Sequence, residues 1–260
     1  MIEPRDGAGA LLTSLASSRV HWEDLGALDP CWAILSQPGT RYGGWDREKF
    51  FATGEEEISA VMNAAQQLEL PRNFHRALDF GCGIGRLTRA LASRFQQVVG
   101  LDISQSMIDQ AIGLGLPNCR FLVNDSSSLP FDADQFDFIY TAIVLQHVPS
   151  QKLIRRYIAE FVRTLKPGGL LVMQLPSYVP LRRRLQARRR LYAWLRSAGI
   201  PEHILYDQLG LHPIPMNFLP EREVTATVAG AEGKVLRTVA DQRAGPHITS
   251  RTYYATRSKD

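Results

Sequence analysis

Gly81, Gly83 and Gly85 stand at alternate positions, and the chain's clearest chemical signal starts there. They follow an apolar run, 77–80, broken by one acid, Asp79, and they precede a helical pattern that begins at Arg86. A strand is thereby delivered into a tight turn whose backbone a ligand can approach, since glycine has no Cβ and tolerates positive φ. Two further acids stand at comparable places. Asp102 closes a second apolar run and Asp125 follows a third. A dinucleotide turn is one reading, and three details oppose it. Arg86 occupies the place of the third glycine in G-x-G-x-x-G, Asp79 lies two residues before the first glycine, and Leu165-Lys166-Pro167-Gly168-Gly169 precedes another apolar run.

The elements that must hold these residues alternate. Strands are predicted over 77–80, 97–101, 120–123, 136–141 and 170–175, with helices over 86–95, 104–112 and 150–165 between them. Ser104 and Ser150 are the expected helix caps. Strands alternating with helices imply an α/β fold: a parallel sheet with helices on both faces and right-handed crossovers. Upstream, Leu11, Leu12, Leu15 and Ala16 suggest one short helix. Thr53 is the expected cap of a helix from Gly54 to about Leu70, because Glu55, Glu56 and Glu57 then crowd its first turn. Downstream, a basic helix is predicted over 181–195, irregular chain over 199–220, a helix from Pro220 to about Ala229, and strands over 234–240 and 251–255. We read one domain over 1–260: a cover at 1–71, a core at 72–176, a lid inserted at 177–219, and a final helix and strands at 220–260.

Five ordered segments across 77–175 resemble the class I S-adenosylmethionine-dependent methyltransferases of the small-molecule kind. Leu78-Asp79-Phe80-Gly81-Cys82-Gly83-Ile84-Gly85 resembles the first motif, and Val99-Gly100-Leu101-Asp102-Ile103-Ser104 the acidic motif of the second strand. Asn124-Asp125-Ser126 with Leu129-Pro130-Phe131 resembles the adenine loop. Phe136 to Val148 resembles the fourth-strand motif, and 165–169 the segment before strand five. Residues 29–36 and 45–54 resemble the cover of some bacterial members. The family fold is Rossmann-like, with seven mostly parallel strands and an antiparallel last one. The implied cofactor is S-adenosylmethionine. The resemblance implies that Gly81, Cys82, Gly83 and Gly85 lie against its methionine tail, with Asp79 giving negative charge near the sulfonium. It also implies that Asp102 and Ile103 hold the ribose, Asp125 and Ser126 the adenine, and that Ala142, Ile143 and Trp45 line or cover the ligand. Plainer roles stay open for the same residues: a strand-end acid, a helix cap, a solvated turn, a core tryptophan.

The implied reaction is methyl transfer to an oxygen or nitrogen of a small molecule. Holding the acceptor in line can lower such a barrier by roughly 7 to 11 kcal/mol. A base is less legible. His147 follows strand four, and His247 lies in the loop before the last strand with Arg243. Gln146 stands beside His147 after strand four, and Tyr178, His203, Tyr206, Asp207 and His212 lie in or beside the lid region. No metal spacing joins the six histidines, so no metal site is expected. Cys31, Cys82 and Cys119 fit neither a zinc site nor a disulfide framework, which with the absence of a secretory pattern leads us to expect a reducing cytoplasm. No apolar run is long enough to span a membrane.

The net charge of +4 is concentrated. Arg182, Arg183, Arg184, Arg188, Arg189, Arg190 and Arg196 fall within fifteen residues. A solvated lid helix, an acidic or phosphorylated acceptor, RNA and a membrane surface are the readings open for them. RNA is disfavoured because aromatic residues are not interleaved as a stacking platform. A cofactor-binding module without turnover is a further alternative.

Overall fold

The computed structural model describes residues 7–201, 204–211, 214–245 and 247–258. His203, His212 and the side chain of Asp207 lie outside this description. Seven strands form one sheet: β1 (Arg76–Phe80), β2 (Gln97–Asp102), β3 (Cys119–Val123), β4 (Phe136–Thr141), β5 (Leu165–Tyr178), β6 (Gly233–Asp241) and β7 (Thr249–Arg257). Their order is β3-β2-β1-β4-β5-β7-β6. Strand β7 runs antiparallel to both neighbours, while the pairs among β1 to β5 are parallel. The expected α/β class and antiparallel last strand are therefore present. The order reverses between β1 and β4, and ligands of such sheets bind beyond the strand ends at that point.

Alternation along the strands divides the core. Leu78, Ile139 and Leu171 face α6 (Gln151–Thr164) and α9 (Glu221–Gly230). Their neighbours Ala77, Phe138 and Leu170 face α3 (Arg47–Gln66) and α4 (Arg86–Ala92). Both faces are thus covered by helices, and each strand can be apolar at consecutive positions. Serine caps start two crossover helices. Ser104 Oγ accepts from Met107 N at the head of α5 (Gln105–Ile112), and Ser150 Oγ accepts from Leu153 N at the head of α6, both at 3.2 Å.

Three helical regions differ from the sequence expectation, and β5 starts at Leu165, five residues before the expected strand. Helix α3 begins at Arg47, capped by Asp46, whose Oδ1 accepts from Lys49 N at 2.8 Å. Thr53 is inside it and donates to Phe50 O. Gly54 interrupts nothing: a Cβ there would meet Arg86 O at 2.5 Å, so its smallness serves the α3–α4 contact. The N-terminal helix is not short. It runs Gly7–Leu28 as α1, followed by α2 (Pro30–Ile34). The basic helix is two pieces, α7 (Leu181–Arg184) and α8 (Ala187–Ser197), separated where Gln186 takes φ 47°. Its amide donates to Met216 O across that bend.

A second, smaller core lies outside the sheet. Leu25, Tyr192, Leu205, Tyr206 and Leu211 are buried together, with Trp22, Trp32 and Leu195 against them. This cluster joins α1, α2 and α8 into a cap. The chain returning from the cap is fastened to the segment after β4. Asn217 N donates to Gln146 O at 2.7 Å, and Gln151 Nε2 donates to Phe218 O at 2.8 Å.

Candidate functional site

The turn after β1 folds back on β2. Gly81 N and Cys82 N both donate to Leu101 O, at 2.7 and 2.9 Å. Gly81 and Gly83 have φ of 78° and 52°, which L side chains rarely adopt. A Cβ on Gly81 would lie 2.3 Å from Val144 Cγ2, and one on Gly83 would lie 2.4 Å from Ile34 Cδ1. Glycine is therefore required twice, by backbone conformation and by close approach. Asp102 ties the turn to β2: Oδ2 accepts from Gly83 N at 2.8 Å and Oδ1 from Ser104 N at 3.0 Å. Burial pushes its carboxyl up, and these amide donors pull it back. Each oxygen retains lone-pair capacity for a further donor.

The third wall is the chain after β4. Ile143 has φ 61°, an outlier for a β-branched residue, and its N–H donates to the buried amide oxygen of Gln174 at 2.9 Å. This kink turns Ala142, Ile143 and Val144 into a cleft shared with Gly81, Cys82, Gly83, Asp102, Ile103 and Asn124. The cleft encloses about 1060 Å³, its open mouth included. Leu15, Ser18 and Trp22 of α1 and Ile34 of α2 roof it. Glu23 pins that roof down. Its carboxylate accepts from Ser104 Oγ, Gln105 N and Ser106 N at 2.7 to 2.8 Å. Gly26, one turn on, brings α1 so close that a Cβ would meet Ser106 Oγ at 2.5 Å.

Other residues singled out in the sequence lie off this cleft. Asp79 is buried beneath the turn and accepts from Thr88 Oγ1 at 2.6 Å. Burial pushes its carboxyl up to about 7, against the Thr88 hydroxyl and Arg86. Gly85 caps α4 and packs towards Leu114. Asp125 is exposed and pairs with Arg19 of α1 at 2.8 Å. Ser126 Oγ lies 3.2 Å from Ser128 Oγ, and its carbonyl accepts from Tyr157 Oη. The Trp45 indole donates to Leu35 O and packs edge-on against Phe50. His247 is exposed in the β6–β7 loop with φ 63°. His147 reaches the cleft, but both ring nitrogens are engaged: Nδ1 lies 3.0 Å from Pro215 O and Nε2 lies 3.1 Å from Gln146 Nε2. A carbonyl only accepts, so Nδ1 carries the proton. Tyr206 is buried in the cap, and Tyr178 is exposed under the Arg184 guanidinium.

Sequence reasoning passed over Trp22 and Arg86 as lining residues, and named Asn124 only as part of the adenine-loop segment. Arg86 had a visible signal, since it departs from the dinucleotide spacing. It is buried at the cleft wall and donates to Thr53 Oγ1 at 3.1 Å and Glu57 Oε2 at 2.9 Å. Glu57 also accepts from Tyr140 Oη and Arg243. Burial raises the Glu57 carboxyl, and the two arginines outweigh it, holding it below the usual range. Among the described residues no group of His, Cys, Asp and Glu could hold a metal ion.

The arrangement fits a nucleoside with a charged tail: a carboxylate with spare acceptor capacity, bare backbone at the glycines, and an otherwise apolar cleft. Comparison with known proteins agrees. A family model described as a methyltransferase domain matches residues 77–169. A trans-aconitate 2-methyltransferase from Deinococcus radiodurans is 37% identical over 121 residues, 46% of this chain and 45% of that protein. The chain spans about half the length of the first curated relatives it matches. Among solved structures, magnesium protoporphyrin IX methyltransferase from Synechocystis with bound S-adenosylhomocysteine superposes with a TM-score of 0.61 at 19% identity. That match covers 94% of this chain and all of the other. The [4+2]-cyclase SpnF superposes at 0.60 and 15% identity, over 95% of this chain and 97% of its own. Residues 77–169 thus match a methyltransferase domain, and the sheet around them is similar in fold to solved methyltransferase structures.

Proposed function

We propose that this chain transfers the methyl group of S-adenosylmethionine to an oxygen or nitrogen of a small-molecule acceptor. The observation that carries the proposal is the joining of Asp102 to Gly83 beside a cleft built from the ends of β1, β2 and β4. When bound, the cofactor supplies an electrophilic methyl on a cationic sulfur. Gly81, Cys82 and Gly83 would carry its tail, Asp102 and Ile103 its ribose, and Asn124, Asp125 and Ser126 its adenine. Ala142 and Ile143 would line it. Trp45 supports Leu35 and Phe50 behind the cleft.

The residues left for the acceptor are Trp22, Val144 and His147. Their contribution is positioning and exclusion of water. His147 fastens the 214–219 stretch to the cleft rim through Pro215, which makes it a positioning residue for the lid. The acceptor's acidity is supported by the name of the trans-aconitate enzyme. Three cysteines with no disulfide among the described residues support a reducing cytoplasm. No described helix is long and apolar enough to cross a membrane. The same fold in a protein named a cyclase supports a second reading, a cofactor-bound scaffold without methyl transfer.

Calorimetry with S-adenosylmethionine and S-adenosylhomocysteine tests the reading. Binding of both is expected, and its absence overturns it. Incubation with radiolabelled cofactor and a panel of small acids, phenols and amines then separates transferase from scaffold. Binding without labelled product in any acceptor class favours the scaffold.

A further inference from the structure

The cap carries a surface that methyl transfer does not use. Residues 177–201 contain seven arginines and no acidic residue, so against a chain total of +4 all the other residues together carry −3. Large apolar side chains stand exposed among these arginines. Leu181 is 70% exposed, Leu185 53%, Trp194 66% and Leu191 45%. Leu181 and Leu185 are one turn apart. On α8, Ala187, Leu191, Trp194 and Ala198 recur at four, seven and eleven, which places them in one stripe. The inward side of α8 is a different one: Tyr192 is buried there, edge-on to His21 of α1 and to Tyr206. The outer stripe is left to solvent beside Arg190, and Arg182 and Arg183 follow Leu181 on α7; the side chains of these three exposed arginines make no hydrogen bond or ion pair with the described residues.

We propose that α7 and α8 dock this protein on an anionic phospholipid surface, with Leu181, Leu185, Leu191 and Trp194 entering the headgroup boundary and the arginines engaging lipid phosphates. Apolar side chains scattered singly on a surface need no partner, but four set in one basic element do. A basic helix with Trp and Leu on a second stripe lies in the membrane interface, held by apolar burial and by attraction to anionic lipid. Nucleic acid would satisfy the arginines and leave the leucines in water. Helix α8 also packs on α1, the roof of the cleft, so the docking surface and the cofactor cleft share one structural layer.

The test is co-sedimentation of the full-length protein with vesicles of phosphatidylcholine alone or mixed with phosphatidylglycerol. Partition onto the anionic vesicles is expected to be at least about tenfold stronger and to fall with salt. The variant Arg182→Ser/Arg183→Ser/Arg190→Ser should lose roughly a hundredfold, about fivefold per arginine. Leu181→Ser/Trp194→Ser should lose about tenfold through apolar burial alone. Tryptophan emission should shift to the blue on anionic vesicles, and Trp194→Phe should abolish that shift. All substituted residues are exposed, and unchanged thermal melting of the variants confirms intact folds. Equal partition onto both vesicle types overturns the proposal, as does full binding by Leu181→Ser/Trp194→Ser. So does tighter binding to single-stranded RNA or an acidic peptide at the same ionic strength. None of these measurements involves the methyl donor, so their outcome is independent of the transferase reading.

Discussion

The floor and the roof of the cleft are built in different ways. The floor, at the ends of β1, β2 and β4, is backbone held by β2: Gly81 and Cys82 on the Leu101 carbonyl, Gly83 on the Asp102 carboxylate. The roof is side chains holding a helix: Glu23 on the head of α5, and Trp22 and Leu25 in the cap core. A floor of this kind fixes distances to a ligand within narrow limits. A roof of this kind can be repacked without disturbing the sheet. Substitutions on the two sides should therefore have separable effects.

Removal of Asp102 should break the floor most severely. Asp102→Ala loses two sites for ribose hydroxyls, each a charge-assisted bond of roughly 1.5 to 3 kcal/mol. It also frees Gly83 N and Ser104 N. S-adenosylhomocysteine affinity should fall at least about a hundredfold by calorimetry. Trp22→Ala in the roof should change that affinity by less than about tenfold and lower acceptor turnover more. If both variants lose cofactor equally, the separation fails. The next largest effect is on stability. Gly81→Ala places a Cβ 2.3 Å from Val144 Cγ2 at φ 78°, and should cost on the order of 1 to 3 kcal/mol in urea unfolding. Val144→Ala in the same chain should recover the steric part alone.

Asp79 tests the floor from below. Its folded value of about 7 stands above its ordinary 3.8. The unfolded chain therefore loses that proton first as pH rises, and stability should fall from about pH 4 to about pH 7 and then level. Asp79→Asn should remove this decline in thermal melting. If a cationic group of the bound cofactor comes near Asp79 it favours the ionised form, and affinity should then rise as pH increases towards about 7 in the wild type and stay flat in Asp79→Asn; a flat profile in both proteins would show that the buried carboxylate acts on the turn alone.

Glu23 tests the roof. Burial raises its carboxyl, and the Ser104, Gln105 and Ser106 donors bring it net below its ordinary value. Its stabilisation should be complete above about pH 4.5 and lost as pH falls through the lower folded value. Glu23→Gln should leave the melting of the sheet nearly unchanged and speed proteolytic cleavage within α1. Equal cleavage in both proteins would mean that α1 is held by the cap core alone.

Legibility in the sequence follows the same division. The floor was readable because its signals are local. Glycines at 81 and 83 mark φ, Ser104 and Ser150 mark caps, and period-two and period-3.6 patterns mark β1 to β5 and their helices. The fold class followed from that alternation. The roof had no such marker. Glu23 acts on residues more than 80 positions away, and Gly26 serves a contact with Ser106. Gly54 was misleading for the same reason: a glycine chosen for helix contact reads locally as a helix boundary. Gln186 could not be seen as a break, because a left-handed glutamine is chosen by tertiary contacts and not by propensity. Trp22 and Ile34 reach the cleft only because the cap folds over it, and that closure is long-range.

The smallest expected effect lies where floor and roof meet at the surface. Asp125 follows β3, and Arg19 of α1 reaches it at 2.8 Å, with their side chains 55% and 41% exposed. An ion pair so open contributes at most about 1 kcal/mol and is screened by salt. Asp125→Ala should therefore change the urea midpoint very little. If Asp125 also holds the adenine amino group, the substitution should lower cofactor affinity several-fold, and Arg19→Ala should not lower it. Arg19→Ala could even raise affinity, by freeing the carboxylate for the ligand. Equal losses in both variants would show that the ion pair itself is what the cofactor needs, and would extend the floor's binding function into the roof.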